Sequence, residues 1–289
     1  MPDMLARQRQ SVILSRVRED GGVRVVDLAR DLGVSDMTVR RDLELLHNRG
    51  LIEKVHGGAT ALAGSALFEP GFAAKSGLQE LEKETIADAA VALVLPGTAI
   101  GISAGTTTYA LARRLVDTPG LTIVTNSVPV ADVLHRAGRS DQTIILTGGV
   151  RTPSDALVGP FAVATLRTIH LDQVFMGVHG MDVRSGFTTP NVLEADTDRA
   201  LAAAGRRLIV VADSSKWGVI GISSIARLDE ADTLVTDSGL DPAAREIAAE
   251  RVRELLIAAS PNLPVDDDGD GDRSSGSAAE AGVTVESSR

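Results

Sequence analysis

The chain has 289 residues, 44% hydrophobic and 2% aromatic, with no cysteine and a formal net charge of −10. That length suggests two domains with at least one sizeable core, and the lack of cysteine excludes disulfides and thiolate metal sites. Scarce aromatics argue against single-strand binding by base stacking, and no apolar run or signal-peptide core points to a membrane, so a cytoplasmic protein is expected.

The charge is unevenly spread. Residues 1–60 hold ten Lys/Arg against nine Asp/Glu, whereas residues 260–289 hold two against seven. Phosphate affinity follows local cationic surface rather than total charge, so global acidity does not exclude a DNA partner. The modest local charge points to duplex reading by a dimer or larger oligomer.

In chain order, a helix is expected over about 5–18, then VVDLARDLGVSDMTVRRDLELL from Val25 to Leu46. Val25, Leu28, Ala29 and Leu32 recur at helical spacing, Gly33 breaks the run, and Ser35 is a good N-cap for a second helix. Val39, Leu43 and Leu46 form the apolar face of that second helix and leave Thr38, Arg40 and Arg41 turned away from it. This is the pattern of a helix-turn-helix, whose second helix enters the major groove. LIEKVHGGATAL then reads as a β-hairpin wing, from which Lys54 and His56 reach the DNA. The expected DNA contacts are Ser35, Thr38, Arg40, Arg41, Lys54 and His56.

Residues 61–79 are irregular and read as a linker after a winged helix at 5–60. Beyond them strand-like and helix-like segments alternate: helices at 81–95, 107–115, 128–137, near 161–169, around 194–204 and 242–258, and strands at 98–102, 121–125, 143–146, 173–178, 207–212 and 233–236. Runs such as LTIV, TIIL and LIVVA lack period-two alternation, as strands covered on both faces do. The expected fold class is therefore α/β: a winged helix-turn-helix followed at 80–258 by a doubly wound, mostly parallel sheet. Residues 260–289 read as a disordered acidic tail. Its Asp266, Asp268, Asp270 and Gly271 mimic the start of a calcium loop, but Ser277 stands where the bidentate glutamate belongs, so no metal is expected.

Ligands of open α/β sheets sit beyond the carboxyl ends of the strands. Ser103, Gly105, Thr106, Thr107 and Thr108 lie at such an end and open a helix, which makes a phosphate cradle without the P-loop lysine. Asn126, Gly148, Asp213 and Lys216 end other strands, and Asp182 and Glu194 flank the polar GFTT loop. Together they offer phosphate donors, hydroxyl-binding acids and a cation, the chemistry that a phosphorylated sugar requires.

SDMTVRRDLELL…GLIEKVHGGA resembles the signature of DeoR-type bacterial transcriptional regulators, and GTTT, TNS, TGG, GMD…GFTTP…E and DSSKWG resemble their sensor domain. The resemblance implies a sensor similar in fold to ribose-5-phosphate isomerase, responding to phosphorylated sugars, in a repressor of carbohydrate-metabolism genes; half-site spacing on DNA implies a dimer at least, and a homodimer or homotetramer is expected. The chain departs from the family in having Ser103-Ala104 where Asp-Ser is common and Asp198 where a lysine is common. The alternative is an isomerase-like enzyme with an accessory DNA-binding domain. Aldose–ketose isomerisation needs a base and an enediolate-stabilising group, and residues 172–198 contain no lysine, so binding without turnover, with no catalytic residue and no cofactor, is expected.

Overall fold

In the computed structural model, which describes residues 6–49, 51–60, 71–259 and 283–286, the first unit is built on helical spacing. Ile13 and Val17 of α1 (Ala6–Asp20) lie one turn apart, and a short strand β1 (Gly22–Arg24) leads into α2 (Val25–Leu32). Gly33 ends α2 at φ +65°, a left-handed geometry that favours glycine, and Ser35 then caps α3 (Asp36–Asn48). Leu28, Val39, Leu43 and Leu46 close with Ile13 into one core. Strands β2 (Glu53–Val55) and β3 (Gly58–Thr60) form a hairpin on which β1 pairs in the order β1-β3-β2. This is the expected helix-turn-helix with its wing.

The second unit begins with α4 (Phe72–Ser76) and α5 (Glu80–Val91), then alternates β4 (Ala99–Ile102), α6 (Thr106–Leu115), β5 (Thr122–Thr125), α7 (Val128–Ala137) and β6 (Thr143–Leu146). A small hairpin, β7 (Val150–Arg151) with β8 (Leu157–Val158), precedes α8 (Pro160–Leu166) and β9 (Leu171–Gly177). Next come β10 (Gly180–Asp182), β11 (Gly186–Thr189), α9 (Val192–Ala204), β12 (Gly205–Val211), β13 (Ser223–Ala226), β14 (Thr233–Asp237), α10 (Pro242–Arg251), β15 (Leu255–Ala258) and β16 (Val283–Glu286).

Eight of these strands make one sheet in the order β16-β15-β14-β12-β9-β4-β5-β6, parallel except for β16. Successive residues point to opposite faces, so Phe175, Ile209 and Val211 join the core under α5, α6 and α7. Their neighbours Val174, Met176 and Val210 join a second core under α8, α9 and α10. Burial on both faces explains why the strands read as unbroken apolar runs. After β6 the chain crosses back past β4 to lay down β9, so the strand order reverses between β4 and β9. That reversal opens a crevice at the carboxyl ends of these two strands.

Four segments differ from expectation. The last helix stops at Arg251, and Leu255–Ala258, expected to continue it, is a strand paired with β14. Its Leu-Leu-Ile-Ala run lacks the polar face a surface helix needs and is buried in the sheet. Within the acidic tail, Val283–Glu286 is not disordered but pairs antiparallel with β15 and covers that edge of the sheet. The calcium-loop mimic lies outside the described residues. The linker region contains α4, and β10, β11 and β13 form a separate antiparallel sheet that the sequence reading did not resolve.

Candidate functional site

In the first unit, α3 is fixed to α1 by a buried carboxylate. Arg9 Nε donates to Asp42 Oδ2 at 2.6 Å and Gln10 Nε2 to Asp42 Oδ1 at 2.9 Å. Ser35 Oγ accepts the Thr38 N–H at 3.3 Å and lies 2.9 Å from Thr38 Oγ1, so both of these side chains hold the helix start. Arg40 and Arg41 are exposed on the outer side of α3. Met37, in the same first turn, is 73% exposed. A thioether there suits the methyl group of thymine beside arginines suited to guanine. On the wing, His56 is exposed at the hairpin turn, and Lys54 Nζ lies 3.7 Å from Glu44 Oε2, which draws part of its charge back to α3.

The second site is the crevice between β4 and β9. Beyond β4, Gly105 stands before α6 at φ +157°, and a Cβ there would meet Thr108 Oγ1 at 3.1 Å. No side chain caps α6, so the N–H groups of its first turn have no side-chain partner at the positive end of the helix. Gly105, Thr106 and Thr107 line a cavity whose walls include Gly177 at the end of β9, Glu194 and Asp198 of α9, Lys216, and Lys75 of α4.

Two buried side chains at neighbouring strand ends are half satisfied. Asn126 Oδ1 accepts the Ala104 N–H at 2.9 Å, while its Nδ2 is buried with no partner among the described residues. Asp213 Oδ1 accepts from Ser215 Oγ, while its Oδ2 is likewise unpartnered. Such orphans are costly unless something else meets them. Glu194 is buried and accepts from Thr152 Oγ1 at 2.7 Å and from Ser154 Oγ.

Lys83 of α5 was not singled out from the sequence. It is 5% exposed, and its Nζ donates to the Lys75 carbonyl at 2.6 Å and to that of Leu78. Burial pushes its ammonium down to about 8, against the pull of the Asp213 carboxylate and with the repulsion of Lys216 and Lys75. Two lysines, Lys75 and Lys216, thus wall the cavity, and Lys83, bonded to the Lys75 carbonyl, is close enough to feel both. In the sequence Lys83 looked like an ordinary surface residue of an amphipathic helix, and nothing local marked its burial.

The other expected ligand residues lie elsewhere. Ser103 Oγ accepts the Gly177 N–H at 3.0 Å and so ties β4 to β9, and Thr108 Oγ1 bonds back to the Gly105 carbonyl at 3.0 Å. Gly148 follows the far edge strand β6 and is not among the cavity walls. Asp182 ends β10, where its Oδ1 accepts the Arg184 and Ser185 N–H groups at 2.9 and 2.8 Å. These amides, Ser185 foremost, hold its carboxyl below the usual range. Through them it braces the β10–β11 turn. No group of three or more metal-ligating side chains and no helix able to cross a membrane occurs among the described residues.

The DeoR-like helix-turn-helix domain family matches residues 9–63, and the DeoR C terminal sensor domain family matches residues 78–238. The chain is 36% identical over 256 residues to the HTH-type transcriptional regulator YgbI of Escherichia coli, covering 88% of this chain and 99% of the relative. It is 38% identical over 245 residues to the HTH-type transcriptional regulator GlpR of Haloferax volcanii, covering 84% and 94%. Transcriptional repressor AccR of Agrobacterium fabrum is 29% identical over 256 residues, covering 88% and 98%. Among solved structures, ribose 5-phosphate isomerase A of Neisseria gonorrhoeae is similar over 48% of this chain and 53% of that one, at 18% identity and a TM-score of 0.35, too slight a likeness to carry weight.

Proposed function

Given that the chain belongs to the DeoR family of DNA-binding transcriptional regulators, and is a regulator rather than an enzyme, we propose that it is a repressor released by a phosphorylated sugar bound at the β4–β9 crevice. The observation that carries this reading is the uncapped N-terminus of α6 and Lys216 on one cavity, with two half-satisfied buried groups, Asn126 and Asp213, at the ends of β5 and β12, the strands on either side of β4 and β9. The α6 turn takes the phosphate, with Lys83 and Lys216 as nearby cations. Asn126, Asp213 and Glu194 take sugar hydroxyls. Carbohydrate genes are the natural targets of such control. The repressor sense is supported by the name of the AccR relative.

On DNA, one of Arg40 and Arg41 reads a base edge and the other holds phosphate, Met37 faces a base edge, and Ser35, Thr38, Lys54 and His56 set the helix and the wing against the backbone. Reading two half-sites requires a dimer at least. Release by an effector requires it to bind the free and DNA-bound forms differently, by about 1–3 kcal/mol in a typical coupled system.

Calorimetry against a panel of sugar phosphates tests the site, with Trp217, next to Lys216, as a fluorescent reporter. Saturable binding of one phosphate, weakened in Lys216→Ala, is the expected result. Absence of binding by every member of the panel would overturn the reading.

A further inference from the structure

We infer that α4 is a strap that senses the ligand, with Lys75 as the side chain by which an anion in the crevice engages the segment joining the sensor to the winged helix. The inference rests on the crevice being the effector site and adds how occupancy there leaves it. Lys75 lines the same cavity as the first turn of α6, while its own helix follows in sequence the stretch from the wing. Among the cavity walls, α4 is the element that is near the DNA-binding unit in sequence, and it also lies beside α1.

The strap is held at three places, and each hold leads to a wall of the same cavity. The Phe72 ring meets Tyr109 of α6 edge to face. The Phe72 N–H donates to the Pro153 carbonyl at 3.3 Å, between Thr152 and Ser154, the two residues whose hydroxyls hold Glu194. The carbonyls of Lys75 and Leu78 accept from the buried Lys83 ammonium. A five-residue helix has too few internal hydrogen bonds to persist alone, so its position is set by these tertiary holds. An anion between the α6 turn and Lys75 adds a charge-assisted fourth hold and relieves the repulsion among the three lysines. A ligand touching only α6 and Lys216 would leave the strap as it was.

Hydrogen–deuterium exchange on the full chain tests this, with ribose 5-phosphate and inorganic phosphate as separate probes. In the wild type, either probe should slow exchange in peptides covering 103–110 and also in those covering 71–78. In Lys75→Met, protection at 103–110 should persist at higher probe concentration, with an apparent Kd raised about tenfold, while protection at 71–78 is lost. Lys75→Arg should restore protection at 71–78, which separates lost charge from misfolding. Protection at 103–110 with none at 71–78 in the wild type, or equal protection of 71–78 in Lys75→Met, overturns the strap and leaves the site standing. No protection of either segment overturns both.

Discussion

Phe72 and Tyr109 meet edge to face, with ring centroids 5.4 Å apart and planes at 87°. Phe72 belongs to α4, the helix within the segment expected as a linker, and Tyr109 to the helix whose N-terminus faces the crevice. One aromatic contact therefore joins the route from the DNA-binding unit to the floor of the candidate site.

Phe72→Ala should cost the sensor unit roughly 1–2 kcal/mol, because an edge-to-face pair contributes ~0.5–1.5 kcal/mol beyond the area it buries. Denaturant unfolding followed at Trp217 measures this. Ligand affinity should change less than threefold, since Phe72 is not a cavity wall, while the effect of ligand on DNA affinity should shrink. A variant that keeps full control of DNA binding would remove this contact from the coupling route.

Asp42→Ala leaves Arg9 partly buried without its carboxylate, where the pair now shows only 11% and 4% side-chain exposure. Breaking such a buried pair costs about 3–5 kcal/mol. The winged helix should melt earlier while the sensor transition stays in place, as resolved by calorimetric scanning. A shift of both transitions together would mean that the two units unfold as one.

Arg40→Ala and Arg41→Ala should divide two roles on the outer face of α3. The arginine that reads guanine should lose about 1–3 kcal/mol of operator affinity and relax the preference at one base pair. The one that holds phosphate should weaken all duplexes alike and lower the salt slope by about one. Met37→Ala should leave the salt slope unchanged and alter the preference at a thymine. Anisotropy titrations at several salt concentrations read all three.

Binding of a phosphate ester at the crevice should weaken as pH rises through about 8. Burial depresses the Lys83 ammonium to that value, so the group is charged below it and neutral above, and the charged form is the one that favours an anion. The second ionisation of a phosphate ester, near pH 6, is complete by then and does not mask the effect. Affinity should be nearly flat between pH 6.5 and 7.5 and fall by up to tenfold per unit above about 8. Lys83→Met should abolish the dependence, and a persisting fall in that variant would assign it to another group.

Much of this was legible where the signal is local. Gly33, Ser35 and the spacing of Val39, Leu43 and Leu46 specify a turn and an amphipathic helix within fourteen residues, and the structure has both. The polar turn from Gly105 to Thr107 was likewise visible as a strand end opening a helix. Lys75 and Lys83 were not, because a lysine in an irregular stretch or on a helix face looks solvated until distant segments bury it. Leu255–Ala258 has good helix formers, but its lack of a polar face and its place beside β14 make it a strand. Asp182 reads from sequence as a ligand group, and what the sequence does not show is that its Oδ1 accepts its own turn amides.

The most direct measurement is fluorescence anisotropy of the full chain on duplex DNA from upstream of its own gene, with and without a panel of sugar phosphates. Tight, sequence-dependent binding that one sugar phosphate weakens fivefold or more, and that Lys216→Ala renders insensitive, is the expected result. Sequence-dependent binding that no sugar phosphate alters would contradict the claim that the crevice governs the DNA-bound state.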